Sequence, residues 1–187
     1  MQGQLPSMRI SGIVGRSRVN GPGERVLLAV QGCSLRCPGC INKDLWNPEG
    51  GNLVEVVELM DLLHLLRGPK KGTRGLTISG AEPFDQPNAL RTLLRTVEDW
   101  FTDTIVFTGY TVEQLLEDNS RAACMPHIDA LITGPYQQEN RSLTGLRGST
   151  NQKIVINHTS HLDEKTLEQF QQEIEIHDGG IVTGFPG

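Results

Sequence analysis

Val26-Leu-Leu-Ala-Val-Gln-Gly-Cys33-Ser-Leu-Arg-Cys37-Pro-Gly-Cys40 runs from a short aliphatic segment directly into a cluster of three cysteines. Val26 to Val30 is continuously apolar and stops at Gln-Gly, the pattern of a strand buried on both faces. Further downstream, Asn52 is spaced to cap a helix, with Glu55 reaching back to it. Leu53, Val56, Val57, Met60 and Leu63 then fall on one face, and Gly68-Pro69 ends the helix. Leu76 to Ser79 reads as a second strand. Ser79-Gly-Ala-Glu-Pro-Phe-Asp-Gln-Pro87 turns the chain into a helix striped by Leu90, Leu93, Leu94, Val97 and Phe101. Thr104 to Thr108 gives a third strand, and Thr111 and Gln114 open the next helix at capping-box spacing. Ile128 to Thr133 is a fourth strand and Lys153 to Ile156 a fifth. Asp163 to Ile174 predicts a helix with Leu167, Phe170 and Ile174 inward, and Gly180 to Thr183 a last short strand.

Strands alternating with helices predict an α/β fold, a parallel sheet with right-handed crossovers. Ligands in such folds lie at the carboxyl ends of the strands. The cysteine loop, Ser79-Gly-Ala-Glu-Pro83, Thr108-Gly-Tyr110 and Gly134-Pro-Tyr136 all follow predicted strands, so they are expected to meet at one mouth. Residues 134–152 form a polar loop long enough to be read as functional or mobile.

The chain of 187 residues suits a single domain spanning 1–187: a cluster loop at 31–43, the polar loop at 134–152 and a C-terminal extension at 157–187. With 37% hydrophobic and 21% charged residues and a net charge of -5, the composition is that of a soluble globular protein, and no basic surplus points to nucleic acid. The amino terminus lacks the apolar core of a secretory signal, and no run is long enough for a membrane span, so a cytoplasmic protein is expected.

In a reducing compartment, three cysteines within eight residues suggest metal binding rather than disulfides. Three thiolates at C-x3-C-x2-C spacing can reach three irons of one cubane, with Pro38 and Gly39 shaping the turn between them. That leaves a fourth iron without a protein ligand, and an open metal position is where chemistry occurs. The alternative is a structural zinc site, which requires a fourth ligand from Cys124 or His127. Cys124 is otherwise a small buried thiol.

The motifs together resemble a known family. C-x3-C-x2-C after a first strand, with a Gly-rich turn ending in Glu-Pro after the second, is similar to the radical S-adenosylmethionine superfamily. Asn20-Gly-Pro-Gly23, Gln31-Gly-Cys33, Cys37-Pro-Gly-Cys-Ile-Asn-Lys43, Trp46, Ser79-Gly-Ala-Glu-Pro83, Thr108-Gly-Tyr110 and Arg147-Gly-Ser-Thr-Asn-Gln152 more narrowly resemble the activating proteins of anaerobic ribonucleotide reductases. The resemblance covers about residues 10 to 156. It implies a partial, open β/α barrel with a mainly parallel sheet and a 4Fe-4S cluster on Cys33, Cys37 and Cys40. It also implies S-adenosyl-L-methionine as a second cofactor, bordered by Gly39, Cys40 and Ile41, by Ser79, Gly80, Ala81 and Glu82, and by Asn151.

By the same resemblance the reduced cluster cleaves S-adenosylmethionine to methionine and a 5′-deoxyadenosyl radical, which installs a glycyl radical on a partner anaerobic ribonucleotide reductase. A flavodoxin is the implied electron donor. Two other functions compete: a radical enzyme acting on a peptide, tRNA or small metabolite, and a non-catalytic iron-sulfur electron-transfer protein. Arg141, Arg147, Asn151 and Gln152 are read either as a grip on the cofactor or partner, or as a solvated loop. Asn20-Gly-Pro-Gly23 is read either as part of the mouth or partner surface, or as a plain turn. Tyr110 is read as lining the adenosine side or as a buried strand-end residue. The chain departs from the family pattern in three respects: Ala81 replaces a glycine, Gly39 and Ile41 leave no aromatic beside Cys40, and Thr133 stands where an aspartate is expected.

Overall fold

The computed structural model describes residues 6–70 and 72–170, together with two short strands at 175–176 and 182–183. Its centre is an open, mixed seven-stranded sheet of order β3-β1-β2-β4-β5-β6-β7. The strands are β1 (Ser7–Ser17), β2 (Arg25–Val30), β3 (Asn52–Glu55), β4 (Gly75–Gly80), β5 (Thr104–Phe107), β6 (Ala130–Thr133) and β7 (Lys153–Ile156). The four strands β2, β4, β5 and β6 run parallel to one another, as the aliphatic segments predict. The expectation of a mainly parallel sheet needs correcting, because β1 pairs antiparallel with β2 and β3, and β7 antiparallel with β6. Parallel strands need long crossovers. The flanking strands are reached without a helical one.

Helices α1 (Val56–Leu66), α2 (Pro87–Val97), α3 (Val112–Glu117) and α4 (Asn119–Ala122) complete the core layers, and α5 (Glu164–Glu168) follows β7. Alternation along the parallel strands separates two cores. Leu76, Ile78, Val106 and Leu131 pack with Leu59, Leu63, Leu90, Leu93, Leu94 and Val97 of α1 and α2. Ile105, Ala130 and Ile132 point to the other face, where Leu146 and Leu167 cover them. The stripe predicted for α2 is buried in full, Phe101 included. The capping box at Thr111 and Gln114 is present, with both reciprocal hydrogen bonds formed.

Two local predictions fail. Asn52 does not cap a helix: residues 52–55 form an edge strand paired with Ser7 to Ile10, so α1 begins only at Val56. The inward face of α1 is consequently Val56, Leu59 and Leu63, whereas Leu53 is 60% exposed. The predicted helix over 163–174 ends at Glu168, and Ile174 lies outside the described residues. Of the last predicted strand, Val182–Thr183 is strand, paired with Glu175–Ile176, while Gly180 and Ile181 lie outside the described residues.

Asn20-Gly-Pro-Gly23 precedes β2 and so belongs to the amino ends of the parallel strands, away from the cysteines. There it wraps the buried Arg25, which donates to Pro22 O at 3.2 Å, while Thr77 donates to Asn20 O at 2.7 Å. It is a floor for the sheet, not part of the mouth. Among the described residues no helix is long and apolar enough to cross a membrane.

Candidate functional site

The carboxyl ends of β2, β4 and β5 open into a cavity of about 260 Å³. Cys33, Cys37 and Cys40 line it together with Ile41, and opposite them stand Ser79, Gly80, Ala81 and Glu82. Phe107, Thr108 and Gly109 add a third side, and Tyr136 and the 141–148 loop a fourth. All four segments expected at the mouth are thus brought together. Two predicted residues stand off: Gly39 and Asn151 do not line the cavity. Gly39 has φ +75°, and a Cβ there would overlap the side chain of Gln138, so the cysteine loop packs directly on the 138–140 turn. Asn151 donates to Pro135 O at 2.8 Å, and its Oδ1 is buried without a partner.

The cysteine loop is fastened at both ends. Gly32 N donates to Leu45 O at 2.8 Å and Cys33 N to Trp46 O at 3.2 Å, which folds the segment after the cysteines back on β2. Asn42 donates through Nδ2 to Gly80 O at 2.8 Å and through its backbone to Cys40 Sγ at 3.4 Å. Ser34 N donates to Asp85 Oδ2 at 2.7 Å. Tyr110 donates its hydroxyl to Asp85 Oδ1 at 2.7 Å and receives Arg121 Nη2 at 2.9 Å. The Arg121 guanidinium also stacks 4.0 Å from the centroid of the tyrosine ring. Tyr110 is therefore the buried strand-end residue, not a cavity wall. Burial is the first cause that pushes its hydroxyl up to about 12.

The turn after β4 explains why Ala81 is tolerated. Gly80 carries the left-handed backbone, φ +98°, and a Cβ there would lie 2.9 Å from Val30 O and 3.0 Å from Val30 N. Among the described residues the one non-glycine with positive φ is Arg36, so position 81 needs no glycine. Gly80→Ala is expected to cost about 2 kcal/mol, from the left-handed strain and the backbone contact, whereas Ala81→Gly stays within about 1 kcal/mol. Chemical denaturation of both variants checks this, and a Gly80→Ala protein as stable as the parent would refute the packing argument. Thr133 is likewise satisfied as it stands, buried and donating to Tyr110 O at 2.5 Å.

Glu82 lines the cavity, but both its carboxylate oxygens are engaged within the fold. Oε1 accepts from Phe84 N at 3.0 Å and Thr108 Oγ1 at 2.8 Å, and Oε2 from Gly109 N at 2.8 Å. It is a strut joining the ends of β4 and β5. Burial outweighs these donors and, with a smaller push from Asp85, raises its pKa from 4.5 to about 7. A carboxyl held above its unfolded value binds its proton more tightly when folded. Its contribution is therefore complete below 4.5 and is lost as pH rises through 7. The interval corresponds to about 3 kcal/mol of unfolding free energy. Unfolding measured from pH 4.5 to 8 should decline more for the parent than for Glu82→Gln. Parallel curves would mean that the donors balance burial.

The three thiols suit an iron-sulfur cluster by position and chemistry. All are reduced and partly exposed to one cavity. Burial pushes the Cys33 thiol up, so a thiolate there calls for a compensating cation. Neither residue expected to complete a zinc site reaches the thiols. Cys124 is fully buried, 3.4 Å from Pro87 O, with its thiol pushed up to about 12 chiefly by burial. His127 Nδ1 lies 2.6 Å from Glu98 Oε2, and neither residue lines the cavity.

Leu35, Asn42, Phe107 and Leu143 are cavity residues that motif reading did not assign. Asn42 carried a usable signal, a polar residue two positions after the last cysteine. Leu143 carried none, since its place depends on how the polar loop folds.

Residues 19–155 match the family described as a 4Fe-4S single cluster domain. A Vibrio cholerae protein is 36% identical over 143 residues, covering 73% of this chain and 90% of the relative. A protein of Enterobacteria phage T4 is 33% identical over 143 residues, covering 74% and 88%. One from Escherichia coli K12 is 30% identical over 141 residues, covering 73% and 90%. All three are named anaerobic ribonucleoside-triphosphate reductase-activating protein. With three unpaired thiols at the mouth of the sheet and similarity over most of its length, the chain belongs to the family of anaerobic ribonucleoside-triphosphate reductase-activating proteins.

Proposed function

We propose that the chain is a radical S-adenosylmethionine enzyme that installs a glycyl radical on an anaerobic ribonucleoside-triphosphate reductase. Cys33, Cys37 and Cys40 hold the 4Fe-4S cluster, and S-adenosylmethionine occupies the rest of the cavity. The observation that carries this reading is the single cavity shared by three thiols of one short loop and the Ser79–Glu82 turn. When bound and reduced, the cluster supplies the electron that breaks the sulfonium bond to the 5′ carbon, giving methionine and a 5′-deoxyadenosyl radical.

The residues of this chain bind and orient. The Ser79–Glu82 backbone and Asn42 meet the polar methionyl end. Phe107, Thr108 and Gly109 form the wall against the adenosyl group, where Glu82 fixes the Thr108 hydroxyl and the Gly109 backbone. Ile41 and Leu143, 55% and 84% exposed, stand on the rim and leave an apolar approach for a partner's glycine. A flavodoxin is the proposed electron donor.

Anaerobic reconstitution with iron, sulfide, dithionite and S-adenosylmethionine tests the chemistry. Formation of 5′-deoxyadenosine and methionine is expected. Addition of the partner reductase is expected to give a glycyl doublet in electron paramagnetic resonance. A fully loaded cluster that forms no 5′-deoxyadenosine would refute the radical reading, and 5′-deoxyadenosine without a glycyl signal would refute the partner.

A further inference from the structure

The 141–148 loop forms one wall of the cavity, yet its own regular structure amounts to a single bridge between Arg141 and Ser149. It is held from elsewhere. Leu146, 3% exposed, packs in one core cluster with Leu167. Gly145 N donates to Phe170 O at 3.0 Å, and Leu146 N to Leu167 O at 3.1 Å. The last carbonyls of a helix have no partner within it, and α5 gives one of them to the loop. Gly145 has φ +72°, and a Cβ there would overlap Glu168 O, so the loop and the end of α5 are in backbone contact. Arg147 Nη2 lies 3.0 Å from Glu168 Oε1, and its Nη1 donates to Gln152 O at 3.3 Å.

Arg147 and Leu146 line the cavity, whereas Leu167 and Glu168 do not. All the holding groups on α5 lie beyond residue 155, where the family match ends.

We propose that residues 157–170 are a clasp that fixes the 141–148 loop as a wall of the cofactor cavity, with Glu168 a positioning residue acting through Arg147. The proposal rests on the reading of the cavity as an S-adenosylmethionine site. Because the clasp sets where the wall stands, it sets the affinity of the cavity for the cofactor. A merely structural segment would set global stability instead.

The test uses the full-length chain in three measurements: equilibrium binding of S-adenosylmethionine to the cluster-loaded protein, trypsin cleavage after Arg141 and Arg147 without cofactor, and thermal unfolding. Glu168→Gln is expected to weaken binding about threefold, as befits a partly exposed ion pair. It should speed loop cleavage and leave the thermal midpoint nearly unchanged. Gly145→Val, which drives a side chain into Glu168 O, is expected to weaken binding about tenfold. In an Arg147→Leu background, Glu168→Gln should cause no further loss of affinity.

Unchanged affinity in a Glu168→Gln protein whose loop is cleaved faster would overturn the proposal, as would a loss undiminished by Arg147→Leu. If the parent protein binds no S-adenosylmethionine, the cofactor reading fails and the clasp is judged by cleavage alone. Equal cleavage of parent and Gly145→Val would then overturn it.

Discussion

Asp103→Ala is expected to lower the unfolding free energy by about 4 kcal/mol, the scale set by leaving a buried cation without its counter-ion. Arg25 is 0% exposed, and Asp103 5%. Their ion pair measures 2.6 Å. The guanidinium also donates to Thr77 Oγ1 at 2.7 Å, Leu76 O at 2.7 Å and Pro22 O at 3.2 Å. These acceptors satisfy its hydrogen bonds but do not cancel its charge. Asp103 is therefore the group that makes burial of Arg25 tolerable. Asp103→Asn keeps an acceptor oxygen and loses the charge, so it should fall between the parent and Asp103→Ala. An Arg25→Met, Asp103→Leu double variant should recover much of the loss, since the pair itself is worth little against apolar packing. Denaturant midpoints at unchanged slope measure these differences. A loss below about 1 kcal/mol for Asp103→Ala, the level of an exposed pair, would show that water reaches Arg25.

The parts of this molecule legible in its sequence are those whose cause is local. The parallel strands announce themselves because short runs dense in aliphatic residues, Val26 to Val30 the longest, must be buried between layers. Thr111 and Gln114 form their capping box because every atom involved lies within four residues. The mouth was legible for a different reason: parallel topology sends every strand's end to one side, so naming the loops after the strands names the site.

What stayed hidden depends on partners distant in the chain. Ser7–Ser17 has little strand character, with Gly12 and Gly15 inside it and only two of its apolar residues, Met8 and Ile10, buried. It is a strand because β2 and β3 pair with its two edges. That same pairing defeats the capping signal of Asn52 and Glu55, because extended pairing claims the backbone a helix start would use. The fourth wall of the cavity is hidden likewise. Nothing in Arg141 to Gly148 shows that Leu146 will pack on Leu167.

Cys37→Ala is expected to abolish stable cluster binding, and with it 5′-deoxyadenosine formation, while leaving the apoprotein folded. In the proposed ligand set one of three thiolates would be lost from a cubane that already has an iron without a protein ligand, so two irons would then rely on solvent. Among the described residues, neither Cys124 nor Glu82 can step in. Cys124 is fully buried among apolar side chains, and both oxygens of Glu82 are engaged by Phe84, Thr108 and Gly109. Cys37 is only partly buried, and the loop around it is held by Ser34, Asn42 and Gly32. The thermal midpoint of apoprotein should therefore change little.

Cys124→Ala is the complementary variant. It deletes a buried sulfur and should cost about 1 kcal/mol, yet retain iron and sulfide at the parent level. Iron and acid-labile sulfide per chain, read beside apoprotein melting, separate the two effects. If Cys37→Ala keeps the parent's iron content and Cys124→Ala loses it, the ligand set is wrong and the cavity at the mouth of the sheet is not the cluster's seat.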